Sequence, residues 1–283
     1  MNSGCNPGAA QKVIIIIPFR DQWEVTLRCL QSLDKQDFQN HRVVLALVDN
    51  GSVEQATAQG LENFMHASHR FDIRLFRYDI PFNFSRLNNW AVRDCRDIEP
   101  DVIFLCNNDI EFLENDAVAR LVNFSRNQPN AGAVGCTLLY PNRRVQHLFV
   151  YVGSKIVGSH PHKGRRFKPK EVWYQKPRPV SAVTGAITLM RYQIFKDSGG
   201  LDENLGNSYQ DVDLCLKFQD MGLVNWVVPN VIALHHEGKT RGRKPSWDEA
   251  EYMFQKWGSQ ISQNAFVHPK LNRCCEHFAP SIF

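Results

Sequence analysis

Polar side chains directly follow apolar runs at three places in the sequence. VIFLC leads into Asn107, Asn108 and Asp109, RVVLALV leads into Asp49 and Asn50, and VIAL leads into His235 and His236. Hard divalent cations prefer carboxylate and amide oxygens, and two histidines beside a glutamate favour metal binding over a purely structural role. The order of the residues does not match H-E-x-x-H, so a metalloprotease helix is excluded. These clusters could bind a cation or a phosphate-bearing ligand.

An acidic pair, Asp211 and Asp213, opens a helical pattern in the second half of the chain. Val212, Cys215 and Leu216 form the apolar side of that pattern. The helix dipole stabilises acids in a first turn, which is the purely structural explanation of the pair. That explanation accounts for one acid but not for the polar run that precedes it, so the pair is a second candidate for chemistry.

The first two clusters also have structural explanations. Asp49, Asn50 and Gly51 are residues typical of a turn. The segment 107–109 could cap a following helix. Each cluster taken alone is therefore ambiguous, and only its place in the fold can decide.

Strands and helices alternate along the first half of the chain. The strands are indicated by the runs KVIIIIPF, RVVLALVD, DIRLFRYD and DVIFLCNND. Segments between them have the apolar period of helices, of which the first is predicted to start at an N-cap, Asp21, and another to span about 115–126. Buried strands separated by helices predict an α/β fold with a mostly parallel central sheet covered on both faces.

Ligands of open α/β sheets bind outside the carboxyl ends of the strands. The segments 18–20, 49–52 and 107–109 fall at such ends, so they are expected to meet on one rim. No G-x-G-x-x-G or G-x-x-x-x-G-K-[ST] follows a strand, which excludes a dinucleotide fingerprint and a Walker loop. A nucleotide bound at this rim would therefore need a carboxylate-held divalent cation to neutralise its phosphates.

The composition is that of a globular protein with one large core, or with one core and a smaller appendage, because 43% of the 283 residues are hydrophobic. No apolar run approaches the roughly 20 residues of a membrane span, and the first residues lack the layout of a secretory signal, so a cytoplasmic location is expected. Buried thiols are expected at Cys29, Cys95, Cys106, Cys136 and Cys215, whereas Cys274 and Cys275 are expected to be exposed without forming a zinc site.

Positive charge is concentrated between residues 160 and 178, although the net charge is only +4. Most such runs are solvated loops. The alternatives are attraction to a phosphate-bearing substrate and a peripheral contact with an anionic membrane surface. Trp173 and Tyr174 in the same loop are candidates for stacking on a sugar. No interleaving of aromatic and basic residues on strands supports binding of nucleic acid.

Several ordered segments of the chain resemble one known family. They are VIIIIPFRDQWEVTLRCLQSL, VDNGS, NFSRLNNWAV, FLCNNDIEF, VTGAITLMRYQIFKDSGGLDE, YQDVDLCLKFQDMG and VPNVIALHH. In this order and spacing they are similar to the family 2 inverting glycosyltransferases with a GT-A fold, in particular to the rhamnosyltransferase-like bacterial members that build surface polysaccharides. The resemblance covers about residues 13–242 and implies a Rossmann-like, mostly parallel sheet flanked by helices.

The resemblance also implies roles for individual residues. Asp211 corresponds to the catalytic base of the family. Asp109 corresponds to the last aspartate of its metal-binding D-x-D motif, and His235 or His236 to a later histidine near the same metal and the diphosphate. Residues implied on the donor side are Pro18, Arg20, Asp49 at the base or ribose, Asn50, Arg86, Asn88, Asn108 and Gly185.

Two departures from the family pattern weaken the negative charge of the implied site. The D-x-D motif is here Asn107-Asn108-Asp109, so one carboxylate remains and the metal is expected to depend more on the phosphates of the donor. The glutamate that precedes the base in the family is replaced by Gln210, which keeps a hydrogen-bonding amide and loses a charge.

The expected activity is the metal-dependent, inverting transfer of a hexose or rhamnose from a nucleoside-diphosphate sugar to an acceptor hydroxyl. Mn²⁺ or Mg²⁺ is the expected cofactor, a UDP- or dTDP-linked sugar the expected donor, and a glycan or lipid-linked molecule the expected acceptor. A glycosyltransferase domain is expected over 12–242, with a donor half at about 12–112 and an acceptor half at about 113–242. A short helical C-terminal extension is expected over 243–283.

Three alternative functions remain at this stage. A nucleotide-sugar-binding homologue with weakened catalysis is suggested by the thinned metal motif and by Gln210. A nucleotidyltransferase uses a similar sheet but usually has a glycine-rich basic loop after its first strand, and PFRDQWE has no glycine. A nucleic-acid-binding protein could use the basic loop alone.

Overall fold

The computed structural model of the protein describes residues 10–153, 156–236 and 247–262. Cys274 and Cys275 and most of the predicted C-terminal extension lie outside the described residues. None of the helices within these ranges combines the length and the apolar character that crossing a bilayer requires.

Twelve strands and seven α-helices form the described part of the chain. The strands are β1 Lys12–Phe19, β2 Arg42–Asp49, β3 Asp72–Arg77, β4 Val102–Cys106, β5 Ile110–Phe112, β6 Ala131–Leu139, β7 Val145–His147, β8 Tyr151–Gly153, β9 Ile156–Ser159, β10 Arg178–Val180, β11 Ile187–Arg191 and β12 Val224–His235. The helices are α1 Trp23–Asp34, α2 Gln55–His66, α3 Phe84–Asp94, α4 Ala117–Asn127, α5 Tyr192–Asp197, α6 Gln210–Asp220 and α7 Trp247–Ser262.

The main sheet has the strand order β10-β12-β6-β11-β4-β1-β2-β3. β4, β1, β2 and β3 run parallel to one another, as the predicted alternation of strands and helices implies. β11 is antiparallel to both β4 and β6, whereas β12 is parallel to β6. The predicted fold class, a mostly parallel sheet flanked by helices, is confirmed, and the reversed direction of β11 is an addition that the apolar pattern does not encode.

The sheet is covered on both faces, and successive residues of β1 face opposite sides. Ile14 and Ile16 pack with Leu87 of α3 in one hydrophobic cluster. Ile15 packs with Leu30 of α1 in the other. All five side chains are at most 1% exposed, so β1 is buried on both faces and its carboxyl end is held firmly beside those of its neighbours.

The predicted N-cap of α1 is wrong. Asp21 and Gln22 both have positive φ, and α1 starts at Trp23 without a side-chain cap. Because of this left-handed turn, the carboxylate of Asp21 reaches across to the start of α2, where its Oδ1 accepts hydrogen bonds from the backbone N–H groups of Val53 and Glu54 at 2.8 and 2.9 Å. Asp21 therefore ties the ends of β1 and β2 together.

Helix α7 packs on the same hydrophobic cluster as α6. Ala250, Met253, Trp257 and Ile261 recur at helical spacing and are all at most 9% exposed. Of the other aromatic residues, Trp247 is 80% exposed. The C-terminal helix predicted from the sequence is present and belongs to the body of the fold.

The cysteine prediction is confirmed for the described residues. Cys29, Cys95, Cys106, Cys136 and Cys215 are buried and free. Burial raises the pKa of the Cys95 thiol to about 11, so this thiol is inert at neutral pH.

Candidate active site

A cavity of about 340 Å³ opens at the carboxyl end of β4, beside the start of β11 and the start of α6. Its polar lining includes Asn107, Gln146, His147, His160, Lys163 and Asp211. The antiparallel pairing of β11 with β4 creates this arrangement, because it places the amino end of β11 beside the carboxyl end of β4. Asn107 donates its backbone N–H to the carbonyl of Ala186 at 2.9 Å, which fixes the end of β4 relative to the start of β11.

Asp211 lies in the first turn of α6 with its carboxylate held by the backbone. The N–H of Gly185 donates to Oδ2 at 2.7 Å, and the N–H of Val212 donates to Oδ1 at 2.9 Å. The carboxylate is half-buried and oriented, and it keeps free lone pairs that can accept a proton.

The second acid of the pair has a different environment. Asp213 is fully buried, and its Oδ1 lies 2.8 Å from Trp257 Nε1 and 2.7 Å from Lys256 Nζ, while Oδ2 lies 3.1 Å from Lys217 Nζ. Asp213 therefore joins α6 to α7, and only Asp211 faces the cavity.

Asp109 and His235 form a close pair at the other side of the cavity. His235 lines the cavity, and its Nε2 lies 3.0 Å from Asp109 Oδ1. Burial raises the pKa of Asp109, but the interaction with His235 lowers it more, so the pKa lies below its ordinary value and the carboxylate is charged at neutral pH. The other ring nitrogen, Nδ1, lies 2.7 Å from Gln146 Oε1, which makes Nδ1 the donor and turns Nε2 towards Asp109.

The pair fits a divalent cation by two observations. Asp109 Oδ1 makes no hydrogen bond of acceptable geometry with protein atoms despite its burial. The 3.0 Å separation of the oxygen and the nitrogen equals the span of two ligands bound at about 2.1 Å and at a right angle to one ion. The hydrogen bond from His235 to Gln146 is the support that a ligating imidazole commonly has. No three acidic, histidine or cysteine side chains meet in this way within the described residues, so this pair supplies at most two ligands.

The structure distinguishes residues that the sequence left equivalent. His236 directly follows the last residue of β12, and its Nε2 lies 3.0 Å from Glu111 rather than at the cavity. Asn107 lines the cavity, whereas Asn108 is buried and donates its amide to Thr26 Oγ1 at 2.9 Å.

The helix-cap explanation of the segment 107–109 is wrong, because strand β5 starts directly after it at Ile110 and the next helix, α4, starts only at Ala117. Asn108 instead ties the end of β4 to α1 through Thr26.

A second polar cluster lies at the carboxyl ends of β2 and β3. Asp49 is 4% exposed and accepts hydrogen bonds from the N–H of Ser52 and from Arg77 Nη1, both at 2.7 Å. Asn50 donates its side-chain amide to the carbonyls of Tyr78 and Ile80, each at 2.8 Å. The turn explanation of this segment is thus partly correct, since Asp49 closes the turn onto Ser52, and its second oxygen pairs with Arg77.

The remaining donor-side predictions have mixed environments. Pro18 is buried within β1, beside Val48 of β2. Arg20 is exposed at the rim, and Arg86 pairs with Glu203 at 3.0 Å. Asn88 is fully buried and donates to the carbonyl of Phe84 within α3. Arg20 is therefore accessible to a ligand, Arg86 is engaged in an ion pair, and the side chains of Pro18 and Asn88 are not accessible in this conformation.

The structure adds His147, a cavity residue that sequence reasoning missed. Its Nδ1 lies 3.0 Å from His160 Nδ1, and its Nε2 is buried without a hydrogen bond to protein atoms. Burial lowers the pKa of His147 well below its ordinary value, and the charges of His160 and His235 act in the same direction, so the ring is neutral. The only sequence signal near His147 was the basic segment 160–178, which contributes His160 and Lys163 to the same side of the cavity.

The aromatic residues of the basic loop pack within that loop. Arg178 lies over the ring of Trp173 at 4.8 Å. Tyr174 is 3% exposed and contacts Phe167, with ring centroids 4.8 Å apart. Their predicted stacking on a sugar has no support in this arrangement.

The sequence of this chain is similar to those of two curated bacterial proteins. The chain is 31% identical over 274 residues to the O-antigen biosynthesis protein RfbC of Myxococcus xanthus, and 32% identical over 272 residues to the uncharacterised protein y4gI of Sinorhizobium fredii (strain NBRC 101917 / NGR234). Each match covers 92% of this chain, which spans only 20% and 29% of the lengths of those relatives.

Two solved structures share the fold at low sequence identity. One is the mannosyltransferase PcManGT from Pyrobaculum calidifontis in complex with GDP-Man and Mn²⁺, with a TM-score of 0.59, 15% identity, and coverage of 83% of this chain and 59% of that one. The other is GalNAc-T7 with UDP, GalNAc and Mn²⁺, with a TM-score of 0.66, 14% identity, and coverage of 89% and 49%. The fold is therefore GT-A, as the order of the motifs implied.

The family model of glycosyl transferase family 2 matches residues 14–199. This range runs from within β1 to beyond β11 and contains Asp49, Asp109 and Gly185, while Asp211 and His235 of the cavity lie C-terminal to it. From its sequence match and its GT-A architecture together, the chain belongs to glycosyl transferase family 2.

Proposed function

We propose that this chain transfers a sugar from a nucleoside-diphosphate donor to an acceptor hydroxyl with inversion of the anomeric configuration. The observation that carries the proposal is the shared cavity, which has the oriented carboxylate of Asp211 on one side and His235, paired with Asp109, on the other. A single displacement at the anomeric carbon needs a group that stabilises the leaving diphosphate on one side and a base for the acceptor hydroxyl on the other. Asp109 and Asp211 would supply these two groups across the cavity.

The residues of this chain have separate tasks in that reaction. Asp211 accepts the proton of the attacking hydroxyl, and the N–H groups of Gly185 and Val212 keep its carboxylate turned towards the cavity. A positioned general base contributes roughly 10²–10⁴ in rate. Attack from the side of Asp211, opposite the leaving diphosphate, gives the inverted product.

Asp109 and His235 would hold a divalent cation, Mn²⁺ or Mg²⁺, which supplies Lewis-acid stabilisation of the leaving diphosphate when it is bound. Because two protein ligands do not fill an octahedral shell, we expect the phosphates of the donor and water to provide the rest. Metal affinity in this chain should therefore rise when a nucleoside diphosphate is present. Lys163 adds positive charge to the same cavity.

The donor would lie between the two polar clusters. Asp49, paired with Arg77, would contact the base or ribose at the carboxyl end of β2, and Arg20 lies exposed on the same rim. At the sugar end, His147 Nε2 and Gln210 Oε1 are both buried, line the cavity and make no hydrogen bond with protein atoms. Sugar hydroxyls can donate to one such atom and accept from another, so they satisfy both.

The identity of the substrates follows from the relatives only by analogy. The relative from Myxococcus xanthus is named for O-antigen biosynthesis, which supports a role in surface polysaccharide or glycoconjugate synthesis with a glycan or lipid-linked acceptor. The solved structures hold GDP-Man and UDP, so the donor screen should include guanosine as well as the expected uridine and thymidine nucleotides. A cytoplasmic site of action, with a peripheral contact at the inner face of the membrane, accords with a lipid-linked acceptor.

The proposal is tested by a thermal-shift screen of UDP-, dTDP- and GDP-linked sugars with and without MnCl₂, followed by turnover assays on the donors that bind. We expect at least one donor to raise the melting temperature more with manganese than without it. Turnover should release the nucleoside diphosphate and give a product whose anomeric configuration, read from the one-bond C1–H1 coupling constant in the NMR spectrum, is opposite to that of the donor. A product with retained configuration would refute the role of Asp211.

A second candidate is a nucleotide-sugar-binding homologue with weakened catalysis. Two substitutions in the cavity favour it. Asn107 and Gln210 are amides at positions where the family pattern has carboxylates. Donor binding without any Mn²⁺-dependent hydrolysis or transfer would support this candidate. Manganese-dependent release of nucleoside diphosphate would exclude it.

A further inference from the structure

We infer that helix α7 positions the catalytic loop, through a hydrogen bond between Glu249 and the backbone of Asn207. The inference rests on the proposed function, because the loop in question leads directly to Asp211. The loop comprises residues 205–209, between the turn at Asp202 and the start of α6, and Asn207, Ser208 and Tyr209 all line the cavity.

The loop is bonded on two sides. On the side of α3, the N–H of Phe84 donates to the carbonyl of Gly206 at 2.8 Å. On the side of α7, the N–H of Asn207 donates to Glu249 Oε1 at 2.9 Å. Glu249 is only 8% exposed, although glutamate is rarely buried without a specific partner. The middle of the loop is therefore held by a carboxylate that helix α7 supplies.

The segments on either side of the loop are also held by α7. Before it, Asp202 Oδ2 lies 2.7 Å from Lys256 Nζ and accepts a hydrogen bond from the hydroxyl of Tyr252 at 2.8 Å. After it, the buried Asp213 is bonded by Trp257 and Lys256. α7 thus fixes the chain at three points, of which the middle one is four residues from the proposed base.

The backbone of the loop needs such support. Tyr209, directly before α6, has a φ of +64°, which a residue with a side chain rarely adopts. A conformation of this kind persists only where the surroundings hold it, and it is common beside functional groups. Tyr209 also accepts the backbone N–H of Asp213 at 2.8 Å, so a shift of the loop would move the first turn of α6 with it.

Stabilisation of α7 by its own dipole is the competing explanation for Glu249. Asp248 and Glu249 both lie in the first turn, where negative charge is favourable. The dipole explanation requires only a negative charge at residue 249. Positioning of the loop requires a side-chain oxygen that is long enough to accept the N–H of Asn207. Two conservative substitutions separate these requirements, since Glu249→Gln keeps the reach and removes the charge, and Glu249→Asp keeps the charge and shortens the reach by one methylene.

The experiment compares Glu249→Gln, Glu249→Asp and Glu249→Ala with the wild type and with Glu251→Ala, an exposed acid on the same helix. Steady-state kcat and donor KM are measured with the nucleotide sugar that gives the highest turnover in the donor screen. Exchange of the Asn207 amide proton is followed by NMR, which reports the hydrogen bond itself and needs no substrate.

Positioning predicts that Glu249→Asp and Glu249→Ala lower kcat by about 10- to 100-fold with donor KM nearly unchanged, since small misplacements of reacting groups have effects of this size. Both variants should speed exchange of the Asn207 amide, while Glu249→Gln and Glu251→Ala should stay near the wild type in both measurements. Faster exchange with unchanged kcat would overturn the inference and leave the proposed function intact. An active Glu249→Asp beside an inactive Glu249→Gln would overturn it in favour of the dipole explanation. A wild type without turnover on any donor would remove the proposed function, and this inference with it.

Discussion

Replacing Asp211 by asparagine should separate catalysis from folding at the proposed base. The two backbone N–H groups of Gly185 and Val212 each donate to one oxygen of the carboxylate. Asparagine keeps one oxygen, and its amide nitrogen cannot accept the second N–H. One hydrogen bond is therefore lost, which costs about 1 kcal/mol in the free energy of unfolding. For a chain of this size that corresponds to a fall of about 2–4 °C in melting temperature.

The catalytic loss should be much larger than this structural cost. Removal of a general base lowers the rate by roughly 10²–10⁴, which is about 3–5 kcal/mol in activation free energy. The base acts on the acceptor, so the affinity for the donor should change less than threefold. Asp211→Asn is therefore expected to bind donor and manganese normally, to melt slightly earlier, and to lose nearly all turnover.

The assay measures turnover by release of nucleoside diphosphate in the presence of acceptor, and donor affinity by calorimetry. Asp220→Asn removes the same charge from the other end of α6 and serves as the control, with turnover expected to match the wild type. The reasoning is refuted if Asp211→Asn retains more than a tenth of the wild-type kcat. It is equally refuted if the loss of turnover is explained by a matching loss of donor affinity.

Three further outcomes are expected. Asp109→Ala should weaken binding of Mn²⁺ in the presence of UDP at least tenfold by calorimetry, and an unchanged affinity would exclude the proposed cation site. Gly60→Ala should destabilise the protein by about 1–3 kcal/mol in urea unfolding despite the helix propensity of alanine, because the added Cβ would lie 2.0 Å from Trp23 Nε1; an unchanged midpoint would contradict this packing. Burial of Asp202 raises its pKa, but the hydrogen bonds from Lys256 and its neighbours lower it more, to about 2. The carboxylate therefore stabilises the fold above about pH 4 and loses this effect as the pH falls towards 2, so the difference in unfolding free energy between wild type and Asp202→Asn should shrink over that range rather than stay constant.

The apolar runs predicted the strands that carry the site, because a strand buried on both faces must be apolar along its whole length. β1, β2 and β4 were predicted in this way, and with them the polar rim at 49–50 and 107–109. Local patterns could not predict that β11 runs antiparallel, since an apolar run is the same read in either direction. That reversal is what brings Gly185 and Asp211 to the end of β4.

The choice between adjacent candidates depended on register. His235 and His236 are neighbours in sequence, and the pairing of His235 with Ile110 decides which imidazole faces Asp109. Likewise the packing of α7 decides that Asp213 is buried, while Asp211 faces the cavity. These outcomes depend on contacts between segments more than 40 residues apart, which no local pattern contains.

His147 could not be predicted for a related reason. It belongs to a three-residue strand, β7, whose sequence VQH has no periodicity to read. Its place in the cavity follows from pairing with β6 and from contact with His160. Asp21 illustrates the opposite error, because a local cap rule assigned its carboxylate to α1, whereas it accepts backbone N–H groups of Val53 and Glu54 before α2.

The hydrogen bond from Asn107 to Ala186 has a consequence for how members of such a lineage can diverge. Asn107 directly follows β4 and precedes Asp109 of the proposed cation site. Gly185, the residue before Ala186, donates a hydrogen bond to the proposed base, Asp211. The distance between Asp109 and Asp211 is therefore set by the backbone pairing of β4 and β11. It does not depend on which sugar, nucleotide or acceptor is bound. Substrate-contacting side chains around the cavity can therefore change between relatives while the distance between the two reacting ends stays the same.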